Sequence, residues 1–261
     1  MENGENLDWK RIGKALFQEA RRMGKEEQAE ELLESLQKLV LFSGQATRSR
    51  KVLLQVGRAL LRDDPVLLVP ICQDYRFGSG LLGSEVPALA QLHAQFLERV
   101  TTLFPHIAVR FLIADQESES KDLCQDLRKT PEELSFLMQQ SAERIGQYVA
   151  SRGWQTLMMT EVMGNLLEKE EETFRWIVEN PAFHARIVSD TLSRGPLYDR
   201  VSMNMSFEEK EKRTVYTAAQ YIVLGRYASE HGFLVCGHTT TNLSWYLQCE
   251  VGILHNPVSL A

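Results

Sequence analysis

The chain has 261 residues, of which 44% are hydrophobic and 25% are charged, and its formal net charge is −6. These values are ordinary for a globular protein and exclude collagen-like, coiled-coil and wholly disordered chains. No apolar run approaches the about 18 residues of a membrane-spanning helix, and the N-terminus lacks the order of a secretory signal. The four cysteines are widely spaced, with no CxxC pair. We therefore expect a cytoplasmic protein with reduced thiols and no membrane association.

Residues 1–62 predict an N-terminal helical extension. Apolar residues recur there at helical spacing, as in Ile12, Leu16 and Ala20. Residues 10–25 carry six Lys or Arg side chains and one Glu, so a local basic face is expected in an otherwise acidic protein. One alternative function is therefore a non-catalytic RNA or nucleotide binder, and tRNA or another RNA is a candidate partner of these helices.

Residues 63–261 predict a Rossmann-like α/β catalytic domain. Five short apolar runs alternate with helical patterns, and residues 162–206 form a helical excursion before the fourth run. The predicted strands are Val66–Cys72, Ile107–Ala114, Gln155–Thr160, Phe233–Gly237 and Gly252–His255. This alternation indicates a three-layer fold with a mostly parallel sheet of about five strands.

Two helix boundaries are marked strongly. Thr130-Pro131 followed by Glu133 is a typical helix start, with a hydroxyl cap, a proline in the first turn and an acid at the positive end of the dipole. His231-Gly232 is typical of a helix end, because glycine adopts the left-handed conformation without strain.

The candidate catalytic residues follow from the predicted topology, because ligands of parallel sheets bind outside the carboxyl ends of the strands. His238, after the fourth strand, is the predicted general acid or base. Asp74, after the first strand, would orient or deprotonate a substrate amine or hydroxyl. The predicted substrate-binding residues at these strand ends are Tyr75, Arg76, Thr240, Asn242 and His255.

A second candidate group lies on the helix that precedes the fourth strand. Arg213, Tyr216 and Gln220 are spaced three and four residues apart and share one helix face. An Arg beside a phenol suits the binding of an anionic group, so Arg213 and Gln220 are predicted to bind substrate. Tyr216 is predicted to take part in catalysis.

A glycine-rich segment follows the first predicted strand. Gly78, Gly80 and Gly83 match the pattern G-x-G-x-x-G, whose backbone N–H groups can approach a phosphate. Asp115, after the second strand, would then hold a ribose. The cofactor stays unassigned: a nucleotide is one candidate, and no spacing of ligand residues predicts a metal site.

The predicted element order is similar to that of several nucleotide-binding α/β enzymes. They include the class I aminoacyl-tRNA-synthetase-like group, with its cyclodipeptide synthases, and the isocyanide synthases, which act on an amino acid. The similarity is one of topology, since the chain has neither a HIGH-type signature nor a GxSxxN-like start. No catalytic residue is transferred from it.

These observations predict a small-molecule enzyme, a transferase or synthase that acts on an amino-acid-like or phosphate-bearing substrate at the carboxyl ends of the strands. A second alternative is an NAD(P)-dependent oxidoreductase that uses the glycine segment. The substrate, the reaction and the oligomeric state are left open.

Overall fold

The computed structural model describes residues 7–71, 88–119, 124, 128–192, 206–238 and 251–257. The helices are α1 (Trp9–Arg22), α2 (Ala29–Phe42), α3 (Arg50–Leu60), α4 (Ala88–Leu103), α5 (Pro131–Ala150), α6 (Met159–Met163), α7 (Leu166–Val178), α8 (Pro181–Leu192) and α9 (Phe207–His231). Short 3₁₀ helices span Glu26–Gln28, Gln45–Arg48 and Asp115–Glu119. The strands are β1 (Val66–Ile71), β2 (Ala108–Ile113), β3 (Gln155–Met158), β4 (Leu234–His238) and β5 (Gly252–Asn256).

The five strands form one sheet in the order β3-β2-β1-β4-β5, and every neighbouring pair is parallel. This confirms the predicted Rossmann-like α/β fold. Crossovers between parallel strands are right-handed as a rule, so this strand order is the one expected when α4 and α5 cover one face of the sheet and α9 the other. The strand order reverses between β1 and β4, and this point is where α/β sheets of this kind bind ligands.

The strands form where the sequence is apolar enough to be buried. All residues of β1 and β5 are buried, as expected for strands covered on both faces. The prediction for β3 was too long, because the strand ends at Met158 and α6 begins at Met159. The backbone N–H of Thr160 donates to Asp115 instead of continuing the ladder.

The helix boundaries follow local capping chemistry. Thr130 is the N-cap of α5, as predicted, and it forms a reciprocal capping box with Glu133. Ser206 and Glu209 form a second capping box at the start of α9. Gly232 ends α9 with φ +67°, which confirms the predicted glycine cap.

The N-terminal helices pack directly on the sheet through a cluster of contacts named here the β5 junction (Gly44, Thr47, Ile253 and His255). Thr47 Oγ1 accepts a hydrogen bond from His255 N (2.7 Å) and donates to Ile253 O (3.1 Å). The backbone N–H of Gly44 donates to His255 O (2.6 Å). The segment that precedes α3 thus satisfies backbone groups at the outer side of edge strand β5. No helix in the described part of the chain is long and apolar enough to cross a membrane.

Candidate functional site

A buried carboxyl group lies on α7 at Glu170, which is 3% exposed. Gln116 donates a hydrogen bond from Nε2 to Glu170 Oε1 (2.9 Å), and Gln220 on α9 donates a second hydrogen bond to the same carboxyl group. Gln116 is itself 3% exposed. These three residues, named here the Glu170 junction, join a 3₁₀ helix and two α-helices around one ionisable group.

The Glu170 junction lies at the carboxyl edge of the sheet. Gln116 belongs to the 3₁₀ helix that follows β2 directly. Helix α9 runs back toward the amino end of β4. Distance along α9 therefore corresponds to position along the direction of the strands, from their carboxyl ends to their amino ends. From Gln220 to His231 the helix rises by about 16 Å, close to the about 16 Å length of a five-residue strand. Gln220 is therefore level with the strand ends, where ligands of this fold class bind.

Burial controls the ionisation of Glu170. Desolvation raises the pKa of this carboxyl group to about 7, while the amide donors of Gln116 and Gln220 act in the opposite direction. Glu170 has no ion-pair partner among the residues that the structure describes. The group can therefore gain or lose a proton near neutral pH, which is the property required of a general acid or base.

The amide of Gln116 fits the protonated form of Glu170 equally well. Its Oε1 atom is buried and has no hydrogen-bond partner within the described part of the chain. Rotating the amide by half a turn would aim Oε1 at Glu170, where it could accept a hydrogen bond from the protonated carboxyl group. The Glu170 junction thus has one hydrogen-bond arrangement for each protonation state.

Asp115 lies at the position predicted for a ribose-binding acid, at the exit of β2. Its carboxylate accepts hydrogen bonds from the backbone N–H of Thr160 (3.0 Å) and from the Thr160 hydroxyl. These bonds tie the ends of β2 and β3 together and hold the 3₁₀ helix that presents Gln116. Asp115 thus has a visible structural role, and its ribose contact stays a prediction.

The predicted helix face on α9 faces α7. Tyr216 stacks on Phe174 of α7, with ring centroids 4.5 Å apart, and Gln220 reaches Glu170 from the next turn. The backbone of Arg213 lies in α9, but its side chain lies outside the described part of the structure. The structure thus places Tyr216 and Gln220 on the side of α9 that faces α7, beside Glu170. The catalytic role of Tyr216 and the substrate-binding roles of Arg213 and Gln220 stay predictions.

The two predicted histidines occupy neighbouring strands. His238 is the last residue of β4 and pairs with Asn256 of β5, and its side chain lies outside the described residues. His255 is buried within the β5 junction, where its backbone binds Gly44 and Thr47. The catalytic role of His238 and the substrate-binding role of His255 stay predictions.

The remaining predicted site residues cannot be placed. Asp74, Tyr75, Arg76, Gly78, Gly80, Gly83, Thr240 and Asn242 lie outside the described residues. They follow β1 and β4, the two strands at the switch point, in the chain. Among the described residues, no group of three or more His, Cys, Asp or Glu side chains is arranged to hold a metal ion.

Sequence reasoning missed Glu170 because it lies in a strongly acidic stretch that resembles a solvated surface. The helical spacing of the residues around Glu170 could have indicated that it is buried. Leu166, Glu170, Thr173 and Ile177 recur at intervals of four, three and four residues, and all four are buried. An acid at the centre of an apolar helix face is a candidate for a perturbed pKa.

Comparison with known proteins adds no further information, because searches of protein-family models, of curated proteins and of solved structures find no match to this chain.

Proposed function

We propose that this protein is a small-molecule enzyme, a transferase or synthase, whose substrate binds at the carboxyl edge of the sheet. In this proposal Glu170 transfers a proton to or from an amino-acid-like or phosphate-bearing substrate. The observation that carries the proposal is a buried carboxyl group without a charged partner in the described part of the chain, held by two amide donors at the edge where such folds bind ligands. A structural salt bridge does not account for this arrangement.

The topology supports the substrate class. The glycine segment 78–83 follows β1, and the polar string 238–242 begins at the end of β4. Neighbouring strands β1 and β4 flank the point at which the strand order reverses. Chain segments at that point supply the ligand contacts of α/β enzymes. Their phosphate-binding and acid–base roles are part of the proposal.

The test is a ligand screen by thermal shift at fixed protein concentration. The panel contains ATP, S-adenosylmethionine, NAD(H), NADP(H), the amino acids and bulk tRNA. A ligand present at about 100 times its Kd stabilises the protein by about 2.7 kcal/mol, and we expect this from a nucleotide or an amino acid. If none of the panel raises the Tm, the proposed substrate class is wrong.

The role of Glu170 is tested with two matched variants. Glu170→Gln keeps the shape and removes the ionisable proton, while Glu171→Gln makes the same change at the exposed neighbouring position. With the substrate that the screen identifies, we expect Glu170→Gln to retain binding and to lower turnover by about 10²- to 10⁴-fold. Equal turnover in the two variants would contradict the role of Glu170.

A second candidate is an NAD(P)-dependent oxidoreductase. The order β3-β2-β1-β4-β5 corresponds to the first five positions of the dinucleotide-binding sheet, and Asp115 follows β2 as the ribose-binding acid does. Its carboxylate already holds Thr160, so a ribose would have to share it. A thermal shift with NAD(H) or NADP(H) alone would favour this candidate over the transferase.

A further inference from the structure

Helix α1 presents an exposed surface, named here the cationic stripe (Lys10, Lys14, Phe17 and Arg21). At about 100° per residue, these four side chains fall within about 60° of one another around the helix axis. All four residues are exposed, and the relative exposure of Phe17 is 49%. The buried side of α1 is formed by Ile12, Leu16 and Ala20. The cationic stripe therefore faces solvent while the opposite side of the helix is fixed in the core.

The cations of the stripe differ from the other basic residues of α1. Arg11 is paired with Asp8 (3.1 Å), and Arg22 is paired with Glu19 (3.4 Å). Within the described part of the chain, no acidic group lies within 4.0 Å of the three stripe cations. The stripe is thus a local positive surface on a protein whose net charge is −6.

An exposed aromatic ring flanked by cations is suited to a specific kind of partner. Single-stranded nucleic acid offers phosphates for the cations and unpaired bases that stack on an aromatic face. A duplex hides the faces of its bases and would leave Phe17 without a role. A membrane-bound helix needs a broad exposed apolar face, whereas the apolar face of α1 is buried in the core.

We propose that the cationic stripe is a binding site for single-stranded nucleic acid. One base stacks on Phe17, and Lys10, Lys14 and Arg21 contact the phosphates on either side. Lys10 and Arg21 are about 16 Å apart along the helix, so the site spans several nucleotides. This surface is independent of the Glu170 junction, and it can bind nucleic acid whether or not the proposed enzyme activity is correct.

The experiment measures the binding of a fluorescein-labelled oligouridine to the full chain by fluorescence anisotropy. Three phosphate contacts give a slope of about −2 for log K against log salt, so affinity should fall by about 20-fold between 50 and 200 mM salt. Phe17→Ala should weaken binding about tenfold or more, and Phe17→Tyr should restore it. Because Phe17 is exposed, neither variant should change the fold, which circular dichroism checks.

The charge contribution has its own matched control. Lys14→Glu/Arg21→Glu should reduce the salt slope to about −0.7 or lower, because one phosphate contact remains. Lys38→Glu/Lys212→Glu makes the same change in net charge at exposed positions outside the stripe and should leave the slope unchanged.

Three results would overturn the proposal. The first is no binding of oligouridine at low salt, and the second is equal weakening by the two double variants. The third is unchanged affinity of Phe17→Ala, since a merely electrostatic surface does not need the ring. Binding to vesicles that contain phosphatidylserine, in the absence of oligouridine binding, would identify a membrane surface instead.

Discussion

The Glu170 junction and the β5 junction are both buried polar clusters that connect distant parts of the chain, but they differ in what they contain. The hydrogen bonds of the β5 junction join backbone groups to a hydroxyl, and Thr47 Oγ1 serves both His255 N and Ile253 O. The Glu170 junction encloses an ionisable group whose desolvation opposes its charged form. The first junction is explained by folding alone, because it satisfies backbone groups at a sheet edge.

The Glu170 junction is not explained in that way. A carboxyl group with a pKa of about 7 is costly to keep in its ionised form, and an apolar residue at the same position would avoid that cost. Its position at the carboxyl edge of the sheet is therefore an argument for function. If this difference is correct, a variant of the β5 junction should lower the free energy of unfolding. A variant of Glu170 should instead gain stability relative to the wild type as the pH rises.

The largest effect is expected at the β5 junction. Thr47→Val keeps the side-chain shape but leaves the buried N–H of His255 and the C=O of Ile253 without a partner. Each such group costs about 1–3 kcal/mol, so the free energy of unfolding should fall by about 4 kcal/mol. Urea unfolding of the wild type and of Thr47→Val measures this loss.

Thr102→Val is the matched control for that change, because the Thr102 hydroxyl bonds Glu98 O on an exposed helix face. It should change stability by no more than about 0.5 kcal/mol. If both variants lose a similar free energy of unfolding, the hydrogen bonds of the Thr47 hydroxyl do not stabilise the packing of the N-terminal segment on β5.

The second predicted effect concerns Glu170. It is a relative gain in stability, in contrast to the loss expected for Thr47→Val, and it depends on pH. The pKa of Glu170 is about 7 in the folded protein and about 4.5 in the unfolded chain. The folded state therefore binds the proton more tightly, and this stabilisation is complete below pH 4.5 and is lost as pH rises through 7. The loss amounts to about 3 kcal/mol.

Glu170→Gln removes that dependence. The stability of the variant relative to the wild type should increase by about 3 kcal/mol between pH 4.5 and pH 8. The difference between wild type and Glu171→Gln should stay constant over the same range, because Glu171 is exposed. Parallel pH profiles for wild type and Glu170→Gln would show that Glu170 ionises like an ordinary surface acid.

The contrast between the junctions also shows what the sequence could predict. The parallel sheet, its five strands and the ends of α5 and α9 were predictable, because apolar runs and capping residues are local signals. The face of α9 that contains Gln220 was predictable from helical spacing. That Glu170 meets Gln116, 54 residues away, depends on tertiary packing that no local pattern encodes. The β5 junction, whose partners are more than 200 residues apart, was missed for the same reason.

The smallest predicted effect is a change in the pKa of Glu170. It tests whether the Gln220 amide acts as a hydrogen-bond donor or only fills space. Gln220→Leu removes one hydrogen bond that favours the charged form of Glu170, so the pKa of this carboxyl group should rise further. A shift of about one unit corresponds to about 1.4 kcal/mol and is measurable by NMR titration of the Glu170 carboxyl carbon. Gln220→Glu would place a second carboxyl group beside the first, and the two should then titrate as a coupled pair. If Gln220→Leu leaves the titration unchanged, Gln220 only fills space between α7 and α9, and proton transfer at Glu170 would depend on Gln116 alone.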